Sequence, residues 1–315
     1  MDISIIVPVY NSQKYLNRCI DSVIKTLRFS RKTGEILLID NNSTDDSMKI
    51  LEKYAHKYPK VITVLSCKTQ GAAATRNYGV SQARGKYIWF IDADDSVAEE
   101  SVRELVDQAE QEKADLTMLG LSRVYTDGHS EYIPPIMPDD PDYKSKFIRS
   151  ELGQVQVLIK RSWWNQNKFR FKEGIIHEDM ELLPSIILYT DKYTAINKLF
   201  YYYYQNDDSV LHKTKWDPHY YDIYVALESL YQRFDKADAT DTYHDELEWF
   251  TIWNLLVDSA KFFAKFKEGR AGFKKTRQFL KSHYPNWRRN RFLNQKKISW
   301  KFRLWLNLSY LGIVK

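Results

Sequence analysis

The sequence predicts an α/β fold in which a mostly parallel central sheet is followed by a helical C-terminal extension. Three observations lead to it. Short apolar runs alternate with amphipathic helical stretches through the first 115 residues. Those runs lack period-2 alternation, as expected of strands covered on both faces. After about Trp216, strand punctuation by Gly and Pro stops and long amphipathic stretches run to the end.

Taken in order, ISIIVPV is a short buried strand, and a helix follows from about Ser12 to Leu27 with Tyr15, Leu16, Cys19, Ile20, Val23 and Ile24 on its apolar side. EILLID is the second strand. NNSTDDSMKILEKYAHKY opens with Ser and Thr as cap candidates and continues as an amphipathic helix. VITVLS, GAAATRNYGVSQA and KYIWFID read as strand, helix and strand. The resulting βαβαβαβ order implies parallel pairing through right-handed crossovers. ADLTMLGLSRVYTDGHSEYI then suggests longer, mixed strands, and PPIMPDDPDY a loop. LGQVQVLIKRSWWNQN resumes order, FKEGIIHEDMELLPSIILY starts a helix on an acidic cluster, and KYTAINKLFYYYYQNDDSV reads as a strand. The expected division is a sheet domain over 1–215 and a basic helical region over 216–315.

Composition sets bounds on function. The 315 residues are 43% hydrophobic and 28% charged, with 22 Tyr, 15 Phe and 9 Trp, as in a folded soluble protein. Only 11 Gly and 9 Pro argue against low-complexity or fibrous architecture. Cys19 and Cys67 lack CxxC spacing and read as reduced, structural thiols. The N-terminus lacks a basic leader region, and no apolar run reaches the length of a membrane span, so a cytoplasmic protein is expected. The net charge of +6 is uneven: from Asp258 onward sixteen Lys and Arg face two acidic residues. That polarity suggests an anionic partner for the C-terminal region.

The stretch YIWFIDADD (87–95) breaks from apolar residues into three carboxylates, Asp92, Asp94 and Asp95. Carboxylates at the carboxyl end of a parallel strand sit where open α/β sheets bind ligands. Left alone they raise one another's pKa values, and a hard divalent cation such as Mg²⁺ or Mn²⁺ removes that repulsion. Four segments in order, SIIVPVYN, ILLIDNNSTDDS, QGAAATRNYGVSQARGKYIWFIDADD and IHEDM, resemble the family 2 glycosyltransferases of the GT-A fold. The resemblance covers about the first 215 residues.

That resemblance implies a set of site residues. Pro8 and Tyr10 would wall the nucleotide base; a packed strand-end turn is the alternative. Asp40-Asn41-Asn42 stands where the family commonly has Asp-Asp-Gly, and Asp40 and Asn41 would read a uracil or thymine edge or cap the next helix. Arg76 would face the donor diphosphate, whose oxygens suit a guanidinium fork. In the Asp92-Ala93-Asp94 motif, Asp94 would ligate Mn²⁺ or Mg²⁺, Asp92 would lie near the ribose or reach the metal through water, and Asp95 would cap the next turn. Glu178-Asp179 matches the family's ED pair, with Asp179 the general base and Glu178 a supporting or acceptor-binding residue; acids that merely stabilise a helix N-terminus are the alternative. His212 is a candidate late metal ligand or a plain surface residue. The tyrosine run Tyr201–Tyr204 is expected to alternate between core and sugar-stacking faces.

The activity implied is inverting, metal-dependent transfer from a nucleotide-sugar, most simply a UDP-sugar, to a hydroxyl of a glycan or lipid-linked glycan in capsule, exopolysaccharide or cell-wall polymer synthesis. The alternatives are a catalytically inactive nucleotide-sugar-binding protein and a sugar nucleotidyltransferase. The latter would want a Gly-rich basic N-terminal loop, which PVYNSQKY is not. The tail, with Trp300, Phe302, Leu304, Trp305, Leu306 and Leu308 among its cations, reads either as peripheral contact with the inner face of the membrane or as a cap or homo-oligomer contact. Nucleic acid is not an expected partner, because no recognised fold or motif accompanies the charge.

Overall fold

The computed structural model describes residues 1–206, 215–295 and 298–314. In chain order the elements are β1 (Ile3–Val9), α1 (Leu16–Ser30), β2 (Gly34–Asp40), α2 (Ser47–Lys57), β3 (Ile62–Ser66), α3 (Ala72–Gln82), β4 (Tyr87–Phe90), β5 (Ser96–Val97), α4 (Ser101–Gln111), β6 (Leu116–Val124) and β7 (Ser130–Ile133). They continue as α5 (Tyr143–Arg149), β8 (Val157–Lys160), α6 (Arg161–Gln166), α7 (Glu178–Ile186), β9 (Tyr193–Tyr204), α8 (Asp222–Lys236), α9 (His244–Trp253), α10 (Ser259–Lys265), α11 (Arg270–His283) and α12 (Trp300–Leu311).

The strands form one sheet in the order β3-β2-β1-β4-β8-β6-β9-β5, with β7 added to β6. The pairs β3–β2, β2–β1, β1–β4 and β6–β9 are parallel, whereas β8 runs antiparallel to both β4 and β6. The α/β expectation with a mostly parallel sheet and a helical extension is thus met. Strand order reverses between β1 and β4, and ligands of open α/β sheets bind at the carboxyl ends beside such a reversal. The segments PVYN, DNN and DADD all end there.

The chain divides into two compact units. One comprises Met1–Tyr143, Leu152–Gly174 and the described residues of 189–206; the other comprises Lys144–Glu151, Ile175–Leu188 and the described residues of 215–314. Two short stretches that precede residue 215 therefore cluster with the helices. In the sheet unit, Ile5, Val7, Ile36, Leu38 and Trp89 share a buried cluster with Leu16, Ile20 and Val23 of α1 and Val102 and Leu105 of α4. On α3, Gly79 permits close approach: a Cβ there would lie 2.5 Å from Ile6 Cγ2 and 2.7 Å from Ile39 Cδ1. In the helical unit Tyr220, Ala260, Phe263 and Phe273 form a second cluster.

Local details depart from the expected boundaries. α1 begins at Leu16 rather than Ser12, because residues 12–15 form a turn in which Ser12 O accepts from Tyr15 N at 2.9 Å. Ser43 and Thr44 do not cap α2, which starts at Ser47. They bind the β1–α1 loop instead: Asn11 N donates to Ser43 Oγ at 3.1 Å, and Thr44 N donates to Asn11 Oδ1 at 2.7 Å.

Candidate active site

In the sheet unit, β1 and β2 run in register so that Val9 pairs with Asp40. Their loops leave the sheet edge together. Asn11 and Asn42 both adopt left-handed backbone, at φ 47° and 61°. Asn tolerates that conformation better than other side chains. Asn42 thus stands at the glycine position of the Asp-Asp-Gly pattern and itself adopts the left-handed backbone that favours glycine. Tyr10 is exposed and Pro8 half-buried.

Asp40 and Asn41 separate clearly. Both are buried. Asn41 Nδ2 donates to Cys67 O at 2.9 Å and Thr69 O at 2.7 Å, and Asn41 Oδ1 accepts from Gly71 N at 2.8 Å. Its amide pins the loop between β3 and α3. Asp40 Oδ2 accepts from Ser43 N at 3.3 Å, while Asp40 Oδ1 is buried with no hydrogen-bond partner among the described residues. Buried polar atoms are seldom left so, and each exception asks for a ligand or a cost.

The acidic turn after β4 is built from both sides. Arg76, buried on α3, sits 2.9 Å by Nη2 from Asp92 Oδ1. Gln154 Nε2, from the segment before β8, lies 3.3 Å from each Asp92 oxygen. Asp94 differs. Asn206 Nδ2, beyond β9, donates to Asp94 Oδ2 at 3.0 Å. Burial and then the neighbouring Asp92 raise the Asp94 pKa. Ala93 between them is buried. Arg18 of α1 donates to Asp94 O and lies 3.4 Å over the Tyr204 ring, which fixes the backbone of the turn.

Asp95 is a correction. It caps no turn; it is fully buried, accepting from the Tyr201 hydroxyl at 2.6 Å and from Tyr204 N at 2.9 Å. Burial pushes its pKa well up, reinforced by Asp94 and Asp92. Asp92 N in turn donates to Tyr201 Oη at 3.1 Å. Of the tyrosine run, then, Tyr201 lies under the acidic turn and Tyr204 stacks on Arg18. Cys19 is buried below the same turn with its thiol pKa raised by burial and by Asp95, Asp94 and Asp92. Sequence reasoning missed Arg18, Gln154 and Asn206. Each lies more than 60 residues from its aspartate, and no local pattern marks it.

In the helical unit, α7 begins at Glu178, so Glu178, Asp179 and Glu181 fall in its first turn, where helix N–H groups favour carboxylates. Asp179 Oδ1 accepts from Met180 N at 2.8 Å. Glu178 is buried. Glu181 is held by Arg233 at 2.7 Å (Nε) and 3.0 Å (Nη2) and by Ser229 Oγ at 2.7 Å, which ties α7 to α8. Burial lowers the His177 pKa to about 4, so the imidazole is neutral. His212 lies outside the described residues.

The sequence pattern of Glycosyl transferase family 2 matches residues 4–169, just over half of the chain. The chain belongs to glycosyltransferase family 2. The poly(ribitol-phosphate) beta-glucosyltransferase of Bacillus spizizenii is 28% identical over 243 residues; the match covers 76% of this chain but 38% of that protein, so this family member spans well under half of that relative's length. Among solved structures, S. aureus TarS in complex with UDP-GlcNAc superposes with a TM-score of 0.74 at 18% identity, covering 99% of this chain and 88% of that one. The mannosyltransferase PcManGT from Pyrobaculum calidifontis, in complex with GDP-Man and Mn2+, gives 0.55 at 15% identity, covering 99% and 86%. At such identities the likeness establishes the GT-A fold of this family 2 chain.

Proposed function

We propose that this chain is an inverting, metal-dependent glycosyltransferase that moves a sugar from a UDP-sugar to a hydroxyl of a cell-envelope glycan, such as a capsule, exopolysaccharide or cell-wall polymer. One observation carries the reading. The two aspartates of the DADD turn have opposite surroundings: Asp92 faces a buried guanidinium and an amide, whereas Asp94 is a carboxylate whose ionised form is penalised by burial and by its neighbour.

That asymmetry fits a cation at Asp94 and not at Asp92. A carboxylate in Asp94's position suits Mn²⁺ or Mg²⁺, which favour oxygen ligands. When bound, such an ion offsets charge on the donor's diphosphate. His212 is a further candidate ligand. Arg76, held at the site edge by Asp92, offers its fork to the same diphosphate. Asp40 Oδ1, without a hydrogen-bond partner among the described residues, fits the N3–H of uracil, with Tyr10 and Pro8 beside it, so Asp40 rather than Asn41 is the base reader. Asp179 takes the proton of the acceptor hydroxyl as that oxygen attacks the anomeric carbon and the bond from that carbon to the diphosphate breaks, releasing UDP, and Glu178 supports it. The acceptor class is supported by the relative that acts on poly(ribitol-phosphate). No helix among the described residues is long and apolar enough to cross a membrane. The localisation this reading favours is peripheral, at the inner membrane face where lipid-linked acceptors are found.

Thermal shift against UDP-, TDP- and GDP-sugars with Mn²⁺ tests the donor. A ligand at 100 times its Kd stabilises by about 2.7 kcal/mol. A UDP-sugar should raise Tm in the presence of Mn²⁺; no shift with any of the three nucleotides would sink the donor assignment.

A further inference from the structure

We infer that the outer face of α12 is a docking surface for an anionic lipid bilayer. The inference rests on the peripheral localisation named above and adds the surface responsible. Sequence alone groups Trp300, Phe302, Leu304, Trp305, Leu306 and Leu308 as one apolar set. The structure divides them. Leu306 and Ser309 are buried, and Phe302 and Trp305 stack on each other at 6.5 Å within the helical unit. Trp300, Leu304 and Leu311 face solvent at 69%, 50% and 54% exposure. At 3.6 residues per turn, positions 300, 304 and 311 fall within roughly 40° of arc, so they form one stripe. Gly312, at φ 74°, ends the helix, and Ile313 beyond it is 61% exposed. Four of the nine exposed large hydrophobics among the described residues therefore lie on this short segment.

Cations border the stripe on both sides. Lys301 and Arg303 are exposed and flank it across the helix. Exposed Arg288 lies alongside, its Nε donating to Asn307 Oδ1 at 2.7 Å. No acidic residue follows Glu268. An apolar strip rimmed by Lys and Arg matches the acyl–headgroup boundary of anionic lipid, where Trp and Leu insert and cations meet phosphates. A second copy is the poorer occupant. Opposed α12 faces would bring cations together with no carboxylate to receive them, and four side chains supply far less than the roughly 800 Å² per partner of a standard interface.

Flotation of the full chain with phosphatidylglycerol-containing vesicles, and with phosphatidylcholine vesicles alone, tests this. The unaltered chain should float with the anionic vesicles at low salt and not with the neutral ones. Trp300→Ser/Leu304→Ser/Leu311→Ser should weaken binding at least about tenfold, and Lys301→Gln/Arg303→Gln by roughly fivefold per charge. Both variants alter exposed side chains only, and both should keep the donor-induced thermal shift of the unaltered chain. Absence of flotation, or flotation undiminished by the stripe variant, overturns the inference. Dimer mass by light scattering that the stripe variant abolishes would also overturn it and assign the face to a second copy. Loss of the donor shift in the unaltered chain would instead count against the glycosyltransferase reading, leaving flotation as an independent result.

Discussion

At the scale of single residues, the decisive contrast is between Asp92 and Asp94, two positions apart on one turn. Asp92 has Arg76 at 2.9 Å, whereas the Asp94 carboxylate accepts from neutral Asn206 and feels the Arg18 guanidinium only through its charge, that side chain being bonded to the Asp94 backbone carbonyl. Removing charge from the two should therefore have unequal effects. Asp94→Asn should weaken Mn²⁺-dependent UDP binding by at least about tenfold, because a hard cation loses an anionic ligand. Asp92→Asn should weaken it less. Calorimetry with Mn²⁺ and with EDTA reads both, and equal affinity for UDP under the two conditions would rule out a metal at Asp94. The support beneath the turn gives a second prediction. Tyr201→Phe removes the hydroxyl on buried Asp95 and should lower stability by about 1–3 kcal/mol in denaturant unfolding; an unchanged midpoint would show that the turn does not depend on it. The DADD, Arg76 and ED positions stood out as candidates because each sits in a local pattern. Asp95's true role was not, since its partners come from β9, more than 100 residues away.

At the scale of elements, alternation of apolar runs and amphipathic stretches announced the strands and helices, because burial on a sheet dictates those patterns locally. Helix starts were less legible. Ser43 and Thr44 have the chemistry of caps, yet the tertiary loop around Asn11 claims them, and α2 starts at Ser47. Asn41 likewise has the chemistry of a base reader, while the β3–α3 loop occupies its amide. The helical unit holds a carboxyl pair that no motif marks. Burial and then Asp258 raise the Glu151 pKa to about 8, with Trp253 Nε1 donating to Glu151. The native state therefore keeps a proton that the unfolded chain releases above its ordinary carboxyl range. With more protons bound in the native state, stability falls as pH rises from about 4.5 to about 8. Glu151→Gln keeps the shape and removes the titration, so its unfolding midpoint should vary less over that range than the unaltered chain's. Parallel pH profiles would discard the shared proton.

At the scale of the whole molecule, donor-side chemistry and the proposed base belong to different compact units: Asp94 to the sheet unit and Asp179 to the helical one. Sequence order alone suggested one catalytic domain up to residue 215, because a linear boundary cannot show that 175–188 clusters with the C-terminal helices. The separation yields a clean expectation. Donor binding depends on the sheet unit's residues, and turnover also requires α7. Product analysis of the full chain and of Asp179→Asn, with a UDP-sugar, Mn²⁺ and a polyol-phosphate or glycan acceptor, tests glycosyl transfer and its base together. UDP release with sugar transferred to acceptor is expected, and a loss of roughly 10²–10⁴-fold in turnover for Asp179→Asn with UDP-sugar affinity retained. Near-normal transfer by Asp179→Asn would contradict the assigned base, and pyrophosphate in place of UDP would contradict glycosyl transfer itself.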